Sequence, residues 1–96
     1  MGYVVTAKWT AREGEADGVR AAIETLVGPS REEPGCSFYQ PSRDPERPEV
    51  FFIYEIYDDA AAYVAHGESA HFEAFGRGEA IPLLESREVT FYETLF

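Results

Sequence analysis

Phe51 to Phe72 reads FFIYEIYDDAAAYVAHGESAHF, and the rest of the chain is arranged around this stretch. Val50 to Tyr57 has the β-branched and aromatic content of a strand. Side chains alternate along a strand, so Phe51, Ile53, Glu55 and Tyr57 share one face, and Val50, Phe52, Tyr54 and Ile56 the other. Both faces are apolar. A sheet with helices on one side only is polar on the other, so this strand asks for a second covering layer. Asp58 or Asp59 is placed to cap a helix, because a short carboxylate accepts hydrogen bonds from the free amides of a first turn. Ala60, Ala61 and Ala62 favour that helix and Gly67 ends or kinks it. Ser69 then caps a further helix through His71, Phe72 and Phe75.

Working outward, Tyr3 to Thr10 reads as a first strand, with Tyr3, Val5, Ala7 and Trp9 alternating with Val4, Thr6, Lys8 and Thr10. A helix follows from about Glu15 towards Arg31, since Val19, Ala22, Ile23 and Leu26 fall on one helical face. Gly28-Pro29 is expected to end or kink it, with room for one more turn over Ser30 to Glu33. Pro34-Gly35 breaks the chain before a short second strand, Cys36 to Gln40. Pro41 to Glu49 reads as a hairpin loop. Ser69 to Glu85 is a poor helical region interrupted by Gly76, Gly78 and Pro82, and Val89 to Leu95 is a fourth strand.

The order βαββαβ specifies an α+β, ferredoxin-like domain over residues 1–96: a four-stranded antiparallel sheet with its helices on one face. The apolar outer face of the third strand is most economically covered by the same face of a second copy. A homodimer with its sheets packed face to face is the expectation.

Composition narrows the function. The 18 acidic against 8 basic residues give a formal net charge of -10. Phosphate backbones need a basic surface, so nucleic acid is not an expected partner, and neither is an anionic membrane. No apolar run is long enough to span a bilayer, and the start lacks the basic and apolar regions of a signal peptide. Cys36 is alone, so no disulfide framework exists and a reducing cytoplasm fits. Glycine-rich phosphate loops, nucleophile elbows, C-x-x-C and H-E-x-x-H are all absent. No cofactor and no metal is expected.

Few residues remain for chemistry. Glu55 sits in an apolar run, where a carboxylate is costly unless paired or protonated. It is either a pocket acid or base with a raised pKa, or a strand-end group that reaches solvent. His66 ends the first short helix and can reach over the end of the third strand, with a pKa suited to proton transfer. His71 follows five positions later, about 140° away on a continuous helix, so the two share no face unless Gly67 breaks the helix. No third metal ligand is evident beside them. Tyr39, Tyr57 and Trp9 are either pocket walls or amphipathic core residues, and Phe72 adds apolar surface. Cys36 has no evident activating base and reads as a small core residue.

The run Y-E-x-Y-x-D-x-A-A-Y-x-A-H-x-x-S-x-H-F, Tyr54 to Phe72, resembles the antibiotic biosynthesis monooxygenase domain of the dimeric α/β-barrel superfamily. Pro34-Gly35-Cys36 leading to Tyr39, Arg43-Asp44-Pro45, and the strand ending in Trp9 before Gly14 agree with it. The resemblance implies a ferredoxin-like protomer, a dimer, and a pocket between sheet and helices. It also implies cofactor-independent oxidation of a small aromatic, quinol or polyketide-type substrate by O2. On that likeness the catalytic residues are Glu55 and His66, as base and orienter, and Tyr39, Tyr57, His71, Trp9 and Phe72 surround the substrate. Many relatives carry tryptophan where this chain has Tyr57. Two alternatives stand beside it. Signal-processing isomerases share the E-x-Y and A-H-x-x-S-x-H pattern and act on phosphorylated ketoses, for which Arg43 or Arg77 offers a local cation. A non-catalytic stress-response dimer that binds a hydrophobic ligand is the other. Haem-degrading relatives use an asparagine, and this chain has none.

Overall fold

The computed structural model describes residues 2–96. Four strands, β1 (Tyr3–Ala11), β2 (Cys36–Arg43), β3 (Val50–Tyr57) and β4 (Leu84–Glu93), form one antiparallel sheet in the order β2-β3-β1-β4. Between them run α1 (Ala16–Arg31), α2 (Ala60–Gly67) and α3 (Phe72–Ala80), the last wound as a π-helix and followed by a tight turn at Ile81–Leu83. This is the ferredoxin-like α+β arrangement. Among the described residues, no helix is long and apolar enough to cross a membrane.

The core lies between α1 and the inner face of the sheet. Val19, Ala22, Ile23 and Leu26 of α1 are buried with Ala7 and Trp9 of β1 and Phe51 and Ile53 of β3. Each large side chain removed from water there contributes about 1.5–3 kcal/mol. In β3 the inward set is Phe51, Ile53, Glu55 and Tyr57, all buried, while Phe52 and Tyr54 stand 41% and 38% exposed on the outer face.

Three local expectations change. First, α1 reaches Arg31 as its periodicity suggests, and Gly28-Pro29 does not end it. Pro29 lies in the last turn, where its missing N–H costs one bond only. The Arg31 side chain ties that turn to β2, its Nε donating to the Tyr39 carbonyl at 3.0 Å. Second, β2 continues through Pro41 to Arg43, where the sequence suggests a loop. β2 is an edge strand, so a proline without a ladder donor is tolerated there. Third, β4 begins at Leu84 and not at Val89. The ladder shifts register between Thr10 and Ala11, pairing Ala11 with Leu84 and Thr10 with Ser86. That irregularity admits the polar run Glu85 to Glu88, which has no alternation to mark it as a strand.

The helix after β3 starts where its cap predicts: the Asp59 carboxylate accepts from the Ala62 amide at 2.8 Å. Ser69 joins the two helices that follow. Its hydroxyl donates to the His66 carbonyl at 2.7 Å and accepts from the Phe72 amide at 3.2 Å. A methyl group at Gly76 would come within 2.7 Å of the Phe72 ring, so glycine lets Phe72 fold back over α3.

Candidate active site

A cavity of about 340 Å³ opens between the sheet and the helices α2 and α3. Its floor is Val5, Ala7 and Trp9 of β1 with Glu55 of β3. His66 reaches it from the end of α2, and Tyr39 and Phe72 close its sides. His66 is 2% exposed, with its ring centroid 5.1 Å from that of Phe72, 5.5 Å from Tyr57 and 5.7 Å from Tyr39.

Two carboxylates bracket this imidazole. On one side Glu33 Oε2 lies 2.7 Å from Nδ1. A carboxylate oxygen only accepts, so the ring proton sits on Nδ1 and the lone pair on Nε2. On the other side Nε2 faces Glu55 Oε1 at 4.0 Å. Glu55 is itself held by Tyr57, whose hydroxyl donates to Oε1 at 2.6 Å in a buried bond.

Burial governs the charges. Removal from water pushes the Glu55 carboxyl up to about 7, against the Tyr57 hydrogen bond that lowers it, and the Glu33 charge adds to the rise. Burial also holds His66 below the ordinary imidazole range, while the Glu33 bond and charge pull it back. Burial thus favours the neutral form of both groups. Burial drives the Tyr39 and Tyr57 hydroxyls strongly upward, so both remain neutral donors. The Cys36 thiol rises to about 11, mainly through burial, which leaves it little thiolate character.

Of the residues chosen from the sequence, Glu55, His66, Tyr39, Trp9 and Phe72 line the cavity. Among the described residues, the indole Nε1 of Trp9 is buried and has no hydrogen-bond partner. Tyr57 stands behind Glu55 and orients it. His71 stands behind His66, its Nε2 2.5 Å from the same Glu33 oxygen. Arg77 and Arg87 also line the cavity, whereas Arg43 lies over the Phe51 ring beside a different groove. Sequence reasoning misses Glu33, Tyr63 and Arg87. Glu33 is one of two adjacent glutamates before Pro34-Gly35, and nothing local separates it from a solvated charge.

A ferredoxin-like sheet with an acid–imidazole pair in a side cavity defines a class of small α+β domains. Residues 2–78 match the antibiotic biosynthesis monooxygenase family, and the chain belongs to it. The crystal structure of PA3566 from Pseudomonas aeruginosa is similar at 30% identity and a TM-score of 0.91, over 99% of this chain and 95% of that one. SO0527 from Shewanella oneidensis is similar at 26% identity and a TM-score of 0.89, over 97% and 90% of the two chains. Protein sll1783 of Synechocystis is 29% identical over 73 residues, 76% of this chain. The chain spans 50% of the length of that curated relative.

Proposed function

We propose that the protein is a cofactor-independent monooxygenase for a small aromatic, quinol or polyketide-type substrate. The observation that carries this reading is the pair His66 and Glu55, 4.0 Å apart on an aromatic cavity, with Glu33 fixing the imidazole tautomer from behind. His66 Nε2 takes the phenolic or hydroquinol proton, and neutral Glu55 receives the resulting N–H or returns a proton later. The electron-rich anion passes an electron to O2, and the two radicals combine at carbon as a peroxide. Loss of water then leaves one oxygen atom in the product as a carbonyl and the other in the water. The four electrons that reduce O2 to the carbonyl oxygen and water all come from the substrate, whose reacting carbon loses two hydrogens. The protein's part is to supply the base, exclude water and hold the anion.

The test is oxygen uptake with a panel of hydroquinones and anthrones in chelated buffer with catalase. Uptake above the spontaneous rate that falls to that rate in His66→Ala supports the reading. Full activity in both His66→Ala and Glu55→Gln overturns it. A second reading has its own observation: Arg77 and Arg87 at the cavity suit a phosphorylated substrate, as in a proton-shifting isomerase. Turnover of a phosphorylated ketose without O2 favours that reading.

The functional unit in this proposal is a homodimer. Val4, Ile56, Tyr54, Phe52 and Tyr92 share the outer face of the sheet by register, and Phe38 stacks edge-on against Tyr54 at 5.9 Å. The exposed aromatics Phe38, Phe52, Tyr54 and Tyr92, interleaved with Thr6, Lys8 and Gln40, support a second sheet packed upon this face.

A further inference from the structure

Glu33, His66 and His71 come from three different elements, yet one ligand atom of each lies within 4.8 Å of the others. We infer that they form a binding site for a divalent first-row transition ion such as zinc. Two imidazoles and one carboxylate are a donor set of the right kind and number for such an ion, with the remaining positions left to solvent or ligand.

The fold brings the histidines together in a way that helical spacing forbids. α2 ends at Gly67, and Ser69 bridges it to α3 through its hydroxyl bonds to the His66 carbonyl and the Phe72 amide. The two rings meet edge-on with centroids 6.0 Å apart. Glu33 reaches both from the turn after α1, where its amide donates to the Ser30 carbonyl at 3.3 Å. Its single oxygen Oε2 accepts from His66 Nδ1 at 2.7 Å and from His71 Nε2 at 2.5 Å. The two nitrogens that aim at one oxygen are those that would aim at an ion. Tetrahedral ligands of zinc stand about 3.3 Å apart, so opening each hydrogen bond by less than about 1 Å makes room.

The surroundings suit a metal. A metal-bound histidine is usually oriented by a carboxylate at its other nitrogen, and Glu55 Oε1 lies on that side of His66 at 4.0 Å. The side chains of Glu33 and His71 keep 15% and 17% of their exposure, so an ion has a route in. A net charge of -10 favours its approach. Binding at Nδ1 places the ring proton on Nε2, facing Glu55. Under the oxygenase reading above, zinc therefore removes the base and suppresses oxygen uptake. That consequence rests on the reading; the binding itself does not.

The experiment uses the full chain stripped with chelator, titrated calorimetrically with zinc chloride and followed with cobalt chloride in the visible range. The expected result is one ion per chain, visible absorption of low-symmetry Co²⁺, and zinc-induced ¹⁵N shifts at His66 Nδ1 and His71 Nε2. His71→Ala and Glu33→Gln should each weaken binding at least about tenfold. Absence of saturable micromolar binding overturns the site, as does unchanged affinity in both variants. Should a variant fail to fold, the wild-type ¹⁵N spectrum decides: shifts at other nitrogens, or at none, exclude this ligand set. None of these readouts needs a substrate, so a failed oxygen-uptake assay leaves them standing.

Discussion

Glu33 Oε2 lies 2.7 Å from His66 Nδ1, although 33 residues separate the two in the chain. This bond turns the other imidazole nitrogen towards Glu55 and the cavity. A buried helix-end histidine thus has a carboxylate facing each ring nitrogen, the arrangement on which its proposed role as a base rests. The same geometry sets how each group responds to pH and to substitution.

Glu55 gives a pH-dependent stability. Its carboxyl rises from 4.5 to about 7 on folding, so the folded state prefers it protonated. The stabilisation is complete below about pH 4.5 and is lost as pH rises through about 7. A shift of this size corresponds to about 3 kcal/mol. Glu55→Gln removes the titration, so its stability relative to wild type should increase by up to about 3 kcal/mol between about pH 5 and pH 8. Urea midpoints across that range provide the measurement, and a flat difference would mean that Glu55 is solvated.

Tyr57→Phe deletes the hydroxyl that holds Glu55 at 2.6 Å. That bond lowers the carboxyl's pKa, so the variant should titrate above the wild-type value of about 7. The stability cost should be about 1–3 kcal/mol, the range for an unpartnered buried group. A ¹³C titration of the glutamate carboxyls reads the shift directly.

Gly35→Ala tests how α2 seats the imidazole. A methyl group there would lie 2.5 Å from the Ala62 Cβ, so α2 must move outward. A loss of about 1–3 kcal/mol is expected, together with a displaced His66 resonance. Adding Ala62→Gly should recover much of the stability, because it removes the opposing methyl group.

Leu26→Ala probes the core beneath α1. Leu26 is fully buried against the sheet, and its truncation should cost about 2–5 kcal/mol. Denaturant unfolding measures it, and a cost under about 1 kcal/mol would mean that the core collapses around the gap.

Tyr54→Glu on the outer face places a carboxylate where the proposed second sheet packs. Sedimentation velocity at micromolar concentration should move from dimer to monomer, with the cavity residues unchanged. A wild-type protein that sediments as a monomer would defeat the dimer proposal.

How much of this is legible in the sequence depends on the range of each contact. β3 spans Val50–Tyr57 as its alternation predicts, because both of its faces carry apolar residues. β4 begins earlier than its pattern suggests, because Glu85 to Glu88 lie exposed along it and only pairing with β1 marks them as strand. β2 passes through Pro41 because it is an edge, a property of strand order and not of the residues themselves. The helix after Ser69 is readable as weak, but neither its π-helical winding nor the seating of Phe72 against Gly76 is. Within the cavity, Glu55 and His66 stand out locally, one as a charge in an apolar run and the other at a helix end. Glu33 carries no such mark.

The sequence by itself determined the order of elements, the helical and sheet faces, and Glu55 and His66 as candidates for a polar site. These rest on periodicity and on breakers, which act over a few residues. Only the tertiary structure decided that Glu33, His66 and His71 share one point, that Glu55 is buried and held by Tyr57, and that His66 Nε2 faces Glu55. Those relations depend on how far each helix runs and in what direction the chain leaves it. Such angles are set by packing between segments tens of residues apart, where no local pattern records them.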